Sequence, residues 1–207
     1  MEPVLVSACL YGRACRYDGT DCADEVLLGE LEATGRVPVP FCPEEAGELP
    51  TPRPAAWIEE SGAGGPASAA RVLSGEARVV TGSGEDVSAA FLAGAREALL
   101  ACREVGARRA YLKERSPSCG VAQTHVSGRT VPGPGVTAQL LADSGVTVVG
   151  VDGGRTASAV AGPESAPEPP PPGMSGPAAC SGPPSQPLFT PEIPPHLRKP
   201  SGPAQSG

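Results

Sequence analysis

Aromatic side chains are scarce: three Phe, three Tyr and one Trp make up 3% of the 207 residues, so any core must be built from Val, Leu and Ala. Positive charge is short as well. Sixteen Lys and Arg stand against 23 Asp and Glu, a formal net charge of -7, which argues against nonspecific binding to nucleic acid, whose phosphate backbone is held by clustered cations. The pair Arg108-Arg109 reads as solvated surface. Histidine is limited to His125 and His196, so a Cys-His nucleophilic pair has only His125 to draw on, and a lone histidine is more often structural. No apolar run approaches the roughly 20 residues that span a bilayer, and no basic segment followed by a hydrophobic signal core opens the chain. The expectation is a soluble, cytoplasmic protein with no membrane partner; its oligomeric state is left open.

What the chain does have is proline, glycine and cysteine. Its 26 prolines are uneven: 15 of them fall from Pro163 onward, including Pro169-Pro170-Pro171-Pro172. This predicts a folded domain over residues 1–152 and a disordered Pro/Gly/Ser-rich extension over 153–207. Seven cysteines, an odd number in a chain without a secretion signal, suit reduced thiols or metal ligands better than a disulfide framework.

Within the first 152 residues the pattern alternates strands and helices. Residues 3–8 read as a buried strand, and Gly12 to Gly19 as a polar loop. Asp21 to Ala33 has helical spacing of Val26, Leu27, Leu28 and Leu31, with Gly35 as its stop. Val37 to Phe41 reads as a strand whose Pro38 and Pro40 confine it to an edge or make it irregular. Residues 43–70 read as loop, and Arg78 to Thr81 as a short strand. Asp86 to Val105 is the clearest helix, capped by Asp86 or Ser88, with Phe91, Ala95, Ala98, Leu99 and Cys102 on one face and Gly106 at its end. A strand over Ala107 to Lys113, a helix over Gly133 to Ser144 and a strand over Val146 to Val149 complete the order. The fold class expected is α/β: a compact, three-layer-like domain with a mostly parallel sheet and helices on its faces.

Cys9, Cys42 and Cys119 each follow a strand-like run at the point where the chain turns. If those strands are parallel neighbours, all three thiols emerge at the carboxyl edge of the sheet, where such folds place ligands. Sulfur ligands of this kind suit an iron-sulfur cluster or zinc, and the alternative is three buried cysteines packing as small hydrophobes. Cys15 is a possible fourth ligand, a resolving thiol or a free loop cysteine. Cys22 and Cys102 read as helix residues, and Cys180 as an incidental tail residue.

Glu44, two residues after Cys42, would place a carboxylate beside anything bound there, and burial would raise its pKa into a range useful for proton transfer. Its neighbour Glu45 reads as solvated. Ser116 and Ser118 either bind substrate or cap the turn that carries Cys119. Gly133 and Gly135 open a helix as phosphate-cradling glycines do, without a P-loop lysine or a dinucleotide fingerprint.

The segments Val6-Ser7-Ala8-Cys9-Leu10-Tyr11-Gly12, Cys15-Arg16-Tyr17-Asp18-Gly19, Cys42-Pro43-Glu44, Thr51-Pro52-Arg53, Leu112-Lys113-Glu114-Arg115-Ser116-Pro117-Ser118-Cys119-Gly120 and Gly133-Pro134-Gly135-Val136-Thr137-Ala138 together resemble the bacterial thiouracil desulfidase family, over about residues 3–150. The resemblance implies a [4Fe-4S] cluster held by Cys9, Cys42 and Cys119, with one iron left free to bind the sulfur of a small thiolated substrate. It also implies a non-redox reaction, with Glu44 as the proton-transfer group and Ser118 and Ser116 as substrate-positioning or stabilising groups. The other reading is an iron-sulfur or zinc protein with a redox or sensing role. Where the family shows paired glycines after Cys42-Pro43-Glu44, this chain has Glu45-Ala46-Gly47-Glu48-Leu49. The added acidic residues bear on substrate preference more than on cluster binding.

Overall fold

A computed structural model describes residues 1–60, 66–153 and 156–160, the last five as backbone. In chain order the first elements are β1 (Glu2–Ser7), α1 (Glu25–Ala33), β2 (Arg36–Phe41), α2 (Pro43–Ala46), β3 (Ala56–Ile58), α3 (Ala69–Leu73) and β4 (Val79–Thr81). They continue with α4 (Ser88–Val105), β5 (Arg109–Lys113), β6 (Gln123–Val126), β7 (Arg129–Pro132), α5 (Val136–Asp143), β8 (Thr147–Val151) and β9 (Thr156–Val160).

Five strands form one sheet in the order β2-β1-β5-β8-β9. β2, β1, β5 and β8 are parallel, and β9 closes the edge antiparallel to β8. β2, with Pro38 and Pro40, lies at the other edge, where missing N–H donors cost least. Because β1 leads to β2 on one side while β5 leads to β8 on the other, strand order reverses between β1 and β5. A crevice opens at the carboxyl ends of strands at such a reversal.

Val4 and Val6 of β1 pack with Leu27 and Leu31 of α1 in one apolar cluster. Asp24 holds the start of α1 by accepting from the Leu27 N–H at 3.0 Å. Of the residues expected to be inward, Val26 is instead 59% exposed. α4 presents Phe91, Gly94, Ala95, Ala98 and Cys102 inward, and Gly106 ends it with a left-handed φ of 71°. Asp86 accepts from the Ser88 N–H at 2.9 Å, while the Ser88 hydroxyl accepts from Val79 in β4.

A second sheet, β4-β3-β6-β7, was not foreseen from the sequence. The stretch 43–70, read as loop, contains α2, β3 and the start of α3, and Arg78–Thr81 supplies the edge of this second sheet rather than joining the first. Its core packs Ile58, Val79 and Val126 against Val72 of α3, Phe91 and Ala95 of α4 and Val136 of α5. β9 lies beyond residue 152, where the sequence reading ends the domain; the rest of the Pro-rich segment and Cys180 lie outside the described residues. No described helix is long and apolar enough to cross a membrane.

Candidate metal centre

Three chain turns build the site. β1 ends at Ser7, and the chain coils tightly: the Leu10, Tyr11 and Gly12 N–H groups donate to the Ser7, Ala8 and Cys9 carbonyls. Gly12 adopts φ 93°, which a side chain would resist. The Cys9 carbonyl also accepts from Cys22, drawing that residue into the loop before α1. Cys22 is thus not a helix residue as the sequence suggested. α1 begins only at Glu25, and Cys22 packs half-buried beside Cys9.

The second turn carries Cys42 at the cap position of α2, with Pro43 at the first helical position and the Cys42 carbonyl accepting from Ala46 at 3.0 Å. α2 is too short to persist on its own and is held by backbone contact with α4. A Cβ on Gly94 would overlap the Pro43 carbonyl, and one on Gly47 would overlap the Ala90 carbonyl. Arg53 secures the same turn from the other side. Its Nε donates to Glu44 at 2.8 Å, one terminal nitrogen donates to the Cys15 carbonyl at 2.9 Å, and the other to Pro50 and Thr51. Glu44 and Arg53 side chains are only 16% and 6% exposed. Burial pushes the Glu44 carboxyl above its ordinary range, against the pull of Arg53 and a hydrogen bond from Ser116.

The third turn carries Cys119. The Ser116 hydroxyl accepts from the N–H groups of Ser118 and Cys119 at 3.1 and 3.0 Å, and Gly120 N–H donates to the Ser116 carbonyl at 2.9 Å. Glu114, 5% exposed, accepts from the N–H groups of Val121, Ala122 and Gln123 and packs over Gly150, where a Cβ would collide with its carboxylate. At the far side, the N–H groups of Gly135, Val136 and Thr137 donate to the carbonyls of Gly120, Pro117 and Ser118. The helix start read as phosphate-like is therefore occupied by the Cys119 turn, and Gly135 lacks a side chain because the Ser118 carbonyl sits where one would go.

These turns enclose a cavity of about 500 Å³ whose lining includes Cys9, Cys15, Cys42, Cys119, Glu44 and Ser116. Ser118 is not on its wall: it is 1% exposed, and its hydroxyl shares a hydrogen bond of 2.8 Å with Thr137 behind the turn. All six described cysteines are free thiols. Cys15 is pulled down to about 4 by thiol hydrogen bonds from Cys42 and Cys9, assisted by Arg13 and Arg53. Cys9 and Cys42 are correspondingly pushed up, each chiefly by its hydrogen bond to Cys15 and then by further thiol contact or burial. Burial pushes Cys119 up to about 12, opposed by contacts with Ser7 and Ser118. Several buried thiols at one point would repel as thiolates, and a cationic metal centre removes that repulsion. The donor set fits soft-metal or iron-sulfur ligation.

Glu45, read as solvated, belongs here too. It pairs with Arg13 at 3.0 Å and accepts from Thr51 at 3.1 Å. One of its oxygens and the thiols of Cys15 and Cys42 lie within 4.8 Å of one another, a group able to hold a metal ion. Arg53 and Glu114 were given no role by sequence reasoning. A signal for Arg53 exists in its place between two prolines of a loop, where a long cation is held close to a fixed backbone; Glu114 has none, since a carboxylate after a strand ordinarily faces water.

An α/β domain that gathers thiols from separate strand ends around one cavity has the donor set that metal-cluster proteins assemble from ligands far apart in sequence. The 2-thiouracil desulfurase family profile matches residues 4–152, and the chain belongs to that family. It is 40% identical over 153 residues to the uncharacterized protein YbbK of Bacillus subtilis (strain 168), covering 70% of this chain and 93% of that one. Among solved structures it is similar to the [4Fe-4S]-dependent thiouracil desulfidase TudS, with 41% identity, a TM-score of 0.58 and coverage of 72% of this chain and 91% of the other.

Proposed function

We propose that this protein removes sulfur from a thiolated pyrimidine base such as thiouracil, by a [4Fe-4S]-dependent, non-redox hydrolysis that releases sulfide and the oxo product. The supporting observation is that Cys9, Cys42 and Cys119, from the ends of β1 and β2 and the turn after β5, line one cavity. In this reading those three thiolates hold the cluster. When bound, it supplies an iron with an open coordination position, a Lewis acid for a thiocarbonyl sulfur.

The chain's own residues do the rest. Glu44 takes one proton from the attacking water and gives it to the sulfur, then takes the remaining hydroxyl proton as the C–S bond breaks and passes it to the departing hydrosulfide. Thiocarbonyl plus water thus becomes carbonyl plus hydrogen sulfide with no net electron transfer. Arg53 fixes its carboxylate through a hydrogen bond of 2.8 Å. Ser116 faces the substrate space, whereas Ser118 acts through Cys119 by bracing the turn against Thr137. The test is anaerobic reconstitution of the full chain and incubation with 2- and 4-thiouracil. Sulfide release from either, dependent on iron loading, is expected; a loaded protein that releases none from both contradicts the reading.

A second reading, a zinc or redox site, is favoured by the Cys15, Cys42 and Glu45 donor group. It predicts a colourless zinc-loaded protein, or a reversible redox couple without sulfide release.

A further inference from the structure

The second sheet contributes to the same cavity, with Trp57 of β3, His125 of β6 and Thr130 of β7 among its lining. β3 and β6 are parallel with Ile58 paired to Val126, and both of these are buried in the core, at 0% and 5% exposure. Alternation along a strand turns the preceding residues, Trp57 and His125, to the opposite face, side by side towards the cavity. Thr130 sits across from His125 in the β6–β7 ladder. Trp57 is held from behind: the far edge of its indole lies over Gly82, where a Cβ would stand 3.6 Å from the ring, in ordinary contact. Gly82 is itself fixed by donating to the Ala55 carbonyl at 2.9 Å. The ring is thus a braced, half-buried apolar plate lining the cavity that the thiols also line.

We infer that Trp57 is a specificity-determining residue that stacks on the ring of an aromatic heterocycle, with His125 and Thr130 offering hydrogen bonds to its edge. The inference rests on the desulfidase reading for the identity of the ring and goes beyond it in assigning recognition to the second sheet. Stacking on Trp57 favours flat, conjugated substrates over aliphatic thioamides, and it acts on binding rather than on bond cleavage.

Trp57 is the only tryptophan in the chain, so its fluorescence reports on this wall alone. The probe is uracil, the oxo product of the proposed reaction, titrated into the full chain with and without reconstituted cluster while Trp57 is excited where uracil is transparent. Saturable quenching is expected. In the loaded protein, Trp57→Ala should raise KM for 2-thiouracil about tenfold with kcat changed less than about twofold, and Trp57→Phe should recover most of the difference. Absence of saturable quenching, together with an unchanged KM in Trp57→Ala, overturns the inference even if the parent releases sulfide. Quenching by uracil in a loaded protein that releases no sulfide keeps the wall and removes the desulfidase reading.

Discussion

The five-stranded and four-stranded sheets face one cavity with different materials. The first is mostly parallel, its strands are five or six residues long, and it delivers thiols, the ligands proposed above, from the turns beyond its strands: Cys9, Cys42 and Cys119. The second has strands of three or four residues and delivers groups from its open face: Trp57, His125 and Thr130. A thiol in a turn is located by the backbone hydrogen bonds that shape the turn, as Ser116 and Glu114 do for Cys119. A side chain on a sheet face is located by register and packing, and tolerates exchange more readily. Chemistry on the first sheet and recognition on the second is the division this difference supports.

Substitutions can break that division or sharpen it. The largest effect is expected at the chemistry: Glu44→Gln should keep the iron content of the parent and lower sulfide release by at least about 100-fold, because it removes the proposed proton carrier without removing a proposed ligand. Next comes the scaffold of the Cys119 turn. Glu114→Ala leaves three N–H groups without their acceptor and should cost about 3 kcal/mol or more in urea denaturation, with loss of iron loading. Glu114→Gln, with one acceptor oxygen left, should recover part of both.

Gly94→Ala should cost about 1–3 kcal/mol and disturb Cys42, since the added methyl meets the Pro43 carbonyl. The same change at Gly29 in α1, where nothing lies within 4 Å, should stabilise by about 0.5–1 kcal/mol, measured by the same unfolding curves. The smallest effect is at the rim of the first sheet. Lys113, then Arg115, hold the Asp152 carboxyl below its ordinary range. Their stabilisation is present above the unfolded carboxyl value of about 3.9 and is lost as pH falls through the lower folded value. With the Asp152 side chain 40% exposed, Asp152→Asn should cost under about 1 kcal/mol at neutral pH and nothing in strong acid, where the two unfolding curves converge.

The first sheet was largely legible in the sequence and the second was not. A run such as Val4-Leu5-Val6 announces a strand buried on both faces, Pro38 and Pro40 announce an edge, and Gly106 announces a helix end. β3 and β4, at three residues each, are too short to show alternation. The β6–β7 hairpin left one readable mark, Ser127-Gly128, both with positive φ as a two-residue turn requires. At the site, the three strand-end cysteines and the Glu44 position could be proposed from local pattern. Glu45 beside Cys15, Cys22 against Cys9 and Glu114 beneath the Cys119 turn depend on tertiary contacts, which no local spacing encodes. The α5 start was ambiguous because glycines that admit a phosphate and glycines that admit a neighbouring carbonyl look alike in sequence.

The most direct measurement is iron and acid-labile sulfide per chain after anaerobic reconstitution of the parent, Cys9→Ala, Cys42→Ala, Cys119→Ala and Cys102→Ala. About four irons per chain are expected in the parent and in Cys102→Ala, whose thiol is buried in α4, with loss of the cluster in the other three. Parent-like iron in those three variants would contradict a centre built from the ends of the parallel strands.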